Sequence, residues 1–397
     1  MAPTKRKILF FAEGATLAHV GRPFVLAESL DPAEFEVVFA RPPAFGWLTR
    51  EAGFRVVDLY CQDSAVFARR LDWGQPLYDF DTLARYVQDD LALIEAERPD
   101  VIVGDFRLSL SVSARLAGIP YLTVCDAYWS PERPLRLPLP VFKWTPFVPL
   151  TMAQWLFAKI APLALRQHTA PLEQLRARHG LPPLGHDLRL CYTDADVRLF
   201  ANFPQLYPEI PPTGTAVFLG PVAWSPKGAL PEGLEHAANL IYITMGSSGD
   251  PAILAKVLPA LEDTGLEVVV ATAGKPIPIG SRSPRTRIFD YLPGNQMCQR
   301  ASLVICNGGS PTTNQALAHG VPVLGLTRNM DQFLNMETIL RFGAGLALRS
   351  DTGASSAIRS AISKFQTDPS LRGAAQRLSD QHSSAEDLCR VLRQILR

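Results

Sequence analysis

The sequence predicts an α/β protein of two domains, each built on a parallel sheet, and three observations support this prediction. The 397 residues exceed what one hydrophobic core usually organises, but they suit two domains of roughly 200 residues each. Short apolar runs alternate with helix-periodic segments in both halves of the chain. A Pro-rich segment, residues 207–215, separates the two halves. Two successive units of this kind favour Rossmann-like domains that face each other across a cleft.

The first half is predicted to be a domain of residues 1–210. Its strands are predicted at residues 7–12, 36–40, 54–59, 99–105, 118–124 and 197–202, with helices near 19–30, 82–97, 109–117 and 168–180. Residues 126–164 interrupt this alternation because they are rich in Pro, Trp, Phe and Leu and carry little charge. We expect their aromatic side chains to line an apolar ligand pocket. Ordinary core packing and contact with a membrane surface are the alternatives.

The second half is predicted to be a domain of residues 211–380. Its strands are predicted at residues 239–247, 267–273, 286–292, 302–309 and 321–326, with helices near 251–263, 312–319 and 332–342. Residues 381–397 are predicted to form a C-terminal helix that packs back on the first domain.

Composition excludes several classes of protein. The formal net charge of +1 argues against a nucleic-acid-binding protein, which usually has a clear basic excess. The six cysteines are scattered and form no CxxC pair, a pattern typical of reduced thiols and of neither a disulfide framework nor a zinc site. The apolar run near the N-terminus is short for a secretory signal, and no run has the roughly 18–20 residues of a membrane span. We therefore expect a cytoplasmic protein.

Two glycine-containing turns follow predicted strands in the second half. Gly308 and Gly309 end one strand and lead into a helix, and the turn MGSSG (245–249), which contains Ser247, ends another. Glycines let a phosphate approach the backbone, and the first N–H groups of the helix attract an anion. Thr312 and Thr313 add hydroxyl donors. The turns predict a diphosphate site, with ordinary tight turns as the alternative.

Residues 291–335 resemble the donor-binding signature of the family-one UDP-glycosyltransferases, which include bacterial macrolide-type and plant natural-product enzymes of the GT-B fold. That signature runs from an aromatic-x-Pro triplet through His-Gly-Gly to Asp-Gln. In this chain Tyr291-Leu292-Pro293 is similar to its start. The resemblance assigns the remaining donor-binding residues: Ser247 near the phosphate, Tyr291 at the nucleotide base, Asn307, Gly308, Gly309 and Thr312 at the diphosphate, Gln315 at the ribose, and Asp331 and Gln332 at the sugar hydroxyls.

Two residues depart from the signature. Asn307 stands where the family has His, and Gln315 stands where it has Glu. Asn donates a hydrogen bond to a diphosphate oxygen but carries no positive charge, and Gln binds a ribose hydroxyl more weakly than a carboxylate does. The departures imply an altered donor affinity or nucleotide preference. A catalytically silent, nucleotide-sugar-binding partner protein is the alternative that they keep open.

One histidine and one aspartate are candidates for catalysis. His19 follows the first strand, and Asp105 ends the strand of residues 99–105, so the two side chains meet if those strands are neighbours. Taken alone, His19 is typical of a surface residue and Asp105 of a helix cap. However, AHVGRP (18–23) and IVGDF (102–106) resemble the family segments that carry a catalytic His and its Asp. The resemblance implies that His19 is the general base and that Asp105 orients it.

The resemblance implies inverting, metal-independent transfer of a hexose or deoxyhexose. The donor is a UDP- or dTDP-sugar co-substrate with no further cofactor, and the acceptor is a hydroxyl of an apolar, aromatic or lipid-like small molecule. Asp-x-Asp pairs at residues 79–81 and 194–196 lie outside the glycine turns, so we assign them no metal. A cell-envelope lipid glycosyltransferase and a nucleotide-sugar epimerase are alternatives of the same architecture. We expect a monomer or homodimer.

Overall fold

The computed structural model describes residues 5–211, 213–234, 237, 239–246, 249–277, 283–351, 355–380 and 386–396. These residues form two parallel sheets flanked by helices, which confirms the predicted fold class. Alternate residues of the first strand enter different core clusters: Ile8 and Phe10 pack in one, and Leu9 and Phe11 pack in another. Both faces of this sheet are therefore covered, which explains why its strands are continuous apolar runs rather than alternating ones.

The first sheet has seven strands in the order β3-β2-β1-β4-β5-β6-β7, and its neighbouring strands are parallel. They are β1 (Arg6–Ala12), β2 (Phe35–Arg41), β3 (Arg55–Asp58), β4 (Val101–Asp105), β5 (Tyr121–Cys125), β6 (Val197–Phe200) and β7 (Ala216–Phe218). The helices of this half are α1 (Ala18–Glu28), α2 (Ser64–Asp72), α3 (Phe80–Glu97), α4 (Leu110–Ala117), α5 (Leu150–Arg178) and α6 (Leu188–Thr193).

The second sheet has six strands in the order β10-β9-β8-β11-β12-β13, again with parallel neighbours. They are β8 (Leu240–Thr244), β9 (Val268–Ala271), β10 (Thr286–Phe289), β11 (Ala301–Cys306), β12 (Val323–Thr327) and β13 (Gly345–Arg349). The helices are α7 (Leu254–Leu261), α8 (Gly294–Arg300), α9 (Ser310–Ala318), α10 (Met330–Phe342), α11 (Ser355–Thr367), α12 (Pro369–Ser379) and α13 (Glu386–Ile395).

The boundary between the two domains lies later in the chain than predicted. Strand β7 pairs with β6 in the first sheet, so the first domain extends to at least Phe218 and the boundary placed after residue 210 is too early. Its hydrogen bonds to β6 determine its sheet, and no local sequence signal reports them. At the other end of the chain, Leu388 and Leu392 of α13 pack in the same core cluster as Ile8 of β1.

Strands β1 and β4 are neighbours, with Ala12 opposite Asp105. The carboxyl ends of parallel strands lie at one edge of a sheet, which is where such folds bind ligands. The loop after β1 and the end of β4 therefore open onto the same edge. None of the helices in the described part of the chain is both long enough and apolar enough to cross a membrane.

Candidate functional site

His19 and Asp105 are in direct contact. His19 lies in the first turn of α1 and Asp105 at the last position of β4, and His19 Nδ1 lies 2.7 Å from Asp105 Oδ1. Asp105 is fully buried, whereas the His19 side chain is 17% exposed. Helix α4 begins only at Leu110, so Asp105 does not cap it. An ionised carboxylate only accepts hydrogen bonds, so this contact places the proton on Nδ1 and the lone pair of the imidazole on Nε2.

Arg22, which the sequence analysis did not single out, holds Asp105 from the other side. Its Nε lies 2.8 Å from Asp105 Oδ2, and its Nη2 lies 2.9 Å from Oδ1. Burial alone would raise the pKa of Asp105, but the Arg22 guanidinium and then His19 lower it below its usual range. Asp105 thus stays ionised and keeps accepting from the imidazole. Residues three apart lie on the same face of a helix, so the spacing between His19 and Arg22 could have identified Arg22 as a site residue from the sequence.

Arg22 also connects the first domain to the second. Its Nη1 donates to Asp126 Oδ2 at 2.8 Å. The other oxygen of Asp126 accepts a hydrogen bond from the Ser310 hydroxyl, in the first turn of α9. Asn202 Nδ2 donates to both Asp126 Oδ1 and Ser310 Oγ, each at 3.2 Å. A buried polar chain therefore runs from the histidine to the helix that follows the Gly308-Gly309 turn.

Aromatic side chains surround the imidazole of His19. The ring of Phe106 stacks on it with centroids 4.7 Å apart, and Tyr192 packs on Phe106 at 5.1 Å. Phe106 has a φ of 56°, in the left-handed region that bulky residues seldom adopt. Trp129 meets Tyr192 edge to face at 5.0 Å. Of these three rings, only Trp129 belongs to residues 126–164, the segment predicted to line an apolar pocket.

Trp129 joins this aromatic group to Asp331. Trp129 Nε1 donates to Asp331 Oδ1 at 2.7 Å, across the two domains. The pKa of Asp331 is raised by burial and by Asp126, although the Trp129 hydrogen bond and His19 act to lower it. Ring contacts from His19 through Phe106 and Tyr192 to Trp129 thus connect His19 with Asp331. The structure therefore brings His19, Asp105 and Asp331 together.

Gln332 has a different environment from Asp331. Its Oε1 accepts from Arg328 N at 2.7 Å and Asn329 N at 3.3 Å, and its own N–H donates to Asn329 Oδ1 at 3.0 Å. This is a capping box at the start of α10. The side-chain oxygen of Gln332 is occupied by the backbone, and the predicted binding of the donor sugar by Gln332 stays a prediction. Only its amide N–H groups remain as donors to a sugar hydroxyl.

The Gly308-Gly309 turn connects β11 to the start of α9. Gly308 has a φ of 80°, and a Cβ there would lie 2.8 Å from Met336 Cγ, so no other residue fits. Gly309 caps α9, and its N–H donates to Asn307 Oδ1 at 3.0 Å. Helix α9 presents its first N–H groups at this point. The side-chain oxygen of Asn307 thus accepts a hydrogen bond from its own loop, and the amide nitrogen points away from that hydrogen bond.

The second glycine turn faces the first. Gly246 has a φ of 63°, and Thr312 Oγ1 lies 4.0 Å from the position that a Cβ on Gly246 would occupy. The two turns therefore lie on opposite sides of one small space at the start of α9. Ser247, assigned to this loop from the sequence, lies outside the described residues.

Gln315 and Tyr291 lie on the outer side of this space. Gln315 Nε2 donates to Asn295 Oδ1 at 2.9 Å, and Gly294 leaves room for it, since a Cβ there would be 2.5 Å from Gln315 Oε1. The Tyr291 ring is 58% exposed, and its hydroxyl donates to Ala273 O at 3.0 Å. An exposed ring anchored at its hydroxyl offers a flat face to a nucleotide base.

Comparison with known proteins identifies the family of this chain. Residues 255–395 match the family model "Erythromycin biosynthesis protein CIII-like, C-terminal domain". Over 383 residues, the chain is 43% identical to a PGL/p-HBAD biosynthesis glycosyltransferase of Mycobacterium tuberculosis, covering 95% of this chain and 88% of the relative. This chain is a family-one glycosyltransferase. A PGL/p-HBAD biosynthesis rhamnosyltransferase of Mycobacterium bovis is 42% identical to it over 96% of this chain and 85% of the relative.

Solved structures confirm the GT-B fold of this glycosyltransferase. The spinosyn rhamnosyltransferase complexed with thymidine diphosphate superposes with a TM-score of 0.68 over 98% of this chain and 100% of that one. The sequence identity is 22%, so the likeness concerns the fold. The predicted family, fold and enzyme class are thereby confirmed, and the silent-partner alternative gives way to an enzyme.

The two Asp-x-Asp pairs of the glycosyltransferase have structural partners. Asp79 caps α3 by accepting from Thr82 N at 2.8 Å. Asp194 is paired with Arg176 at 2.8 Å, and Asp196 accepts from Tyr121 N at 2.8 Å. Within the described ranges, no group of three His, Cys, Asp or Glu side chains is arranged to hold a metal ion.

Two aromatic side chains of residues 142–157 are exposed at the surface. Phe147 is 85% exposed and Trp155 is 63% exposed, so neither fills a core, and core packing is excluded for both. For this part of residues 126–164 the apolar ligand pocket stays a prediction.

Proposed function

We propose that this glycosyltransferase transfers a deoxyhexose from a dTDP-sugar to a hydroxyl of an aromatic or lipid-like acceptor, with inversion and without a metal ion. The observation that carries the proposal is the His19–Asp105 contact next to Asp331. The names of the relatives support the donor: one is a rhamnosyltransferase, and a structural neighbour binds thymidine diphosphate. A UDP-hexose is the second donor to be compared.

The reaction is a single displacement. His19 Nε2 takes the proton of the acceptor hydroxyl, and that oxygen forms a bond to the anomeric carbon as the bond from this carbon to the diphosphate breaks. Attack from the face opposite the leaving group inverts the configuration. Asp105 stabilises the imidazolium that forms. Asp331, held by Trp129, accepts hydrogen bonds from the sugar hydroxyls.

The leaving diphosphate gains one negative charge as the bond between its oxygen and the anomeric carbon breaks, and the backbone compensates this charge. The first N–H groups of α9 and the hydroxyl of Thr312 face the space between the two glycine turns. Fixed dipoles of this kind stabilise developing charge without reorganising, and they take the place of a metal ion.

The aromatic surroundings of His19 support a flat apolar acceptor. Phe106 and Tyr192 offer ring faces and edges within about 5 Å of each other beside the imidazole. An aromatic acceptor that stacks there presents its hydroxyl to Nε2. The strained backbone of Phe106 holds the ring in place before the acceptor arrives.

The reaction is tested by product analysis with dTDP-rhamnose, UDP-glucose and a panel of phenols and alkyl alcohols. We expect dTDP-rhamnose to be the better donor, a phenol the better acceptor, an inverted anomeric linkage by NMR, and rates unchanged by EDTA. A retained configuration would refute the single displacement. Loss of activity in EDTA, restored by a divalent cation, would refute the metal-independent mechanism.

Asn307→His should tighten dTDP binding in a pH-dependent way. A histidine is charged below about pH 6.5 when unperturbed, and a charged donor exceeds a neutral one by about 1 kcal/mol, or roughly fivefold in Kd. We expect this gain at pH 6 and little gain at pH 8. Calorimetric titration of the wild type at both pH values is the control. A wild type that binds no dTDP, with binding restored in the variant, would show that Asn307 disables the donor site.

A further inference from the structure

Exposed apolar side chains follow the first half of α5 and the loop that precedes it. We call the group of Phe147, Met152, Trp155, Leu156, Ile160 and Leu163 the apolar patch. Each of its side chains is at least 41% exposed. Large apolar side chains exposed together, rather than singly, mark a surface that another apolar body covers.

The patch follows one face of the helix. Met152, Leu156 and Ile160 are spaced by four residues, and Trp155 and Leu163 lie three residues from members of this row. The large buried side chains of α5, Leu172 and Leu175, lie in its second half and pack in a core cluster with residues of α3. The second half therefore anchors the helix to its domain, and the patch is additional to the surface that this packing uses.

The chain segment that carries the patch has charges of one sign. Between Glu132 and Glu173 the chain contains no acidic residue, whereas Lys143 and Lys159 lie within the patch segment. In the described part of the protein, no carboxylate lies within ion-pair distance of either lysine. Lys143 Nζ lies 5.2 Å from the ring centre of Trp73, which is itself 65% exposed and extends the apolar surface.

The loop before α5 places this surface at the rim of the cleft. Val141 N donates to Arg328 O at 2.7 Å, three residues before Asp331 in the chain. The hydroxyl of Thr145 donates to Asp351 Oδ2 at 2.6 Å. The loop thus spans from the first domain to the second beside the start of α10, whose first turn carries Asp331.

We propose that the apolar patch docks on the surface of an anionic lipid bilayer. Aromatic and aliphatic side chains enter the boundary between headgroups and acyl chains, and the two lysines reach the phosphates of the headgroups. A second copy of this chain fits less well, because a two-fold contact brings the patch onto itself and places like charges together. Docking requires neither donor nor acceptor, so it stands independently of the proposed reaction.

The test is co-sedimentation of the full chain with vesicles of phosphatidylcholine alone or mixed with phosphatidylglycerol. We expect binding to the mixed vesicles, with a blue shift of tryptophan fluorescence as Trp155 leaves water. Phe147→Ser/Trp155→Ser should weaken binding by on the order of tenfold or more. Lys143→Gln/Lys159→Gln should weaken it by about fivefold per lysine on anionic vesicles only.

The matched control is Leu116→Ser/Leu340→Ser, which removes two side chains, each 42% exposed, outside the patch. We expect it to bind vesicles as the wild type does. Circular dichroism and thermal unfolding curves check that every variant is folded. Absence of vesicle binding by the wild type would overturn the proposal. So would a dimer in light scattering that Phe147→Ser/Trp155→Ser converts to a monomer, because the patch would then belong to a second copy.

Discussion

Replacing His19 with alanine should lower turnover by about 10²–10⁴-fold while leaving dTDP affinity nearly unchanged. The variant loses the only imidazole beside Asp105 and Asp331 in the described residues, and with it the acceptor of the hydroxyl proton. The groups that face the diphosphate lie on α9 and the glycine turns, which do not depend on the imidazole. Initial rates at saturating donor, with a calorimetric titration of dTDP, separate the two effects.

His179→Ala is the matched control for this experiment. His179 caps the C-terminal end of α5 through its backbone and lies outside the candidate site. Its removal should leave both turnover and dTDP affinity unchanged. Turnover of His19→Ala comparable to that of the wild type would exclude His19 as the general base. A parallel loss of dTDP affinity would indicate a distorted fold instead of missing chemistry.

The local sequence predicts those parts of the site that depend on strand ends and glycine turns. His19 and Asp105 follow or end neighbouring parallel strands, and their convergence depends only on the strand order that βαβ units favour. Gly308 is predictable for the same reason, because a strand that passes directly into a helix at a phosphate needs a residue without a Cβ.

Other features of the site depend on contacts between distant segments. Trp129 reaches Asp331 across 202 positions of the chain, and Tyr192 reaches Phe106 through the packing of α6. No periodicity or spacing reports such contacts. Gln332 is a different case, since Asn329-x-x-Gln332 is a capping-box pattern that the sequence displays. The resemblance suggested that Gln332 binds the sugar, and the local capping pattern was not considered.

Replacing Arg22 with methionine should cost about 3–5 kcal/mol of stability and also lower turnover. The change leaves two buried carboxylates, Asp105 and Asp126, without their shared cation. Asp105 Oδ1, the oxygen that contacts His19 Nδ1, loses its hydrogen bond from Arg22. The polar chain to Ser310 in the other domain is also weakened. Arg22 contacts no reacting atom in the proposed mechanism, so we regard it as a positioning residue.

The pH dependence of unfolding gives a signature of this role. In the wild type the lowered pKa of Asp105 contributes stability that is present above its unfolded pKa and lost as pH falls through the folded one. Without Arg22, the strongest charge that opposes the effect of burial is lost, so the pKa of Asp105 in the folded state rises above its unfolded value. The ionised carboxylate then destabilises the folded variant, and this destabilisation is relieved as pH falls. The difference in the free energy of unfolding between wild type and variant should therefore narrow as pH falls from 7 towards 4.

Arg176→Met distinguishes positioning from a general loss of stability. Arg176 is as deeply buried as Arg22 and pairs with Asp194, outside the candidate site. Both variants should unfold more readily in urea, but at a temperature where both are folded only Arg22→Met should show a lower kcat. A KM for the donor that stays close to the wild-type value would place the defect at the histidine. Equal kcat in the two variants would mean that Arg22 serves folding alone and that Asp105 orients His19 without it.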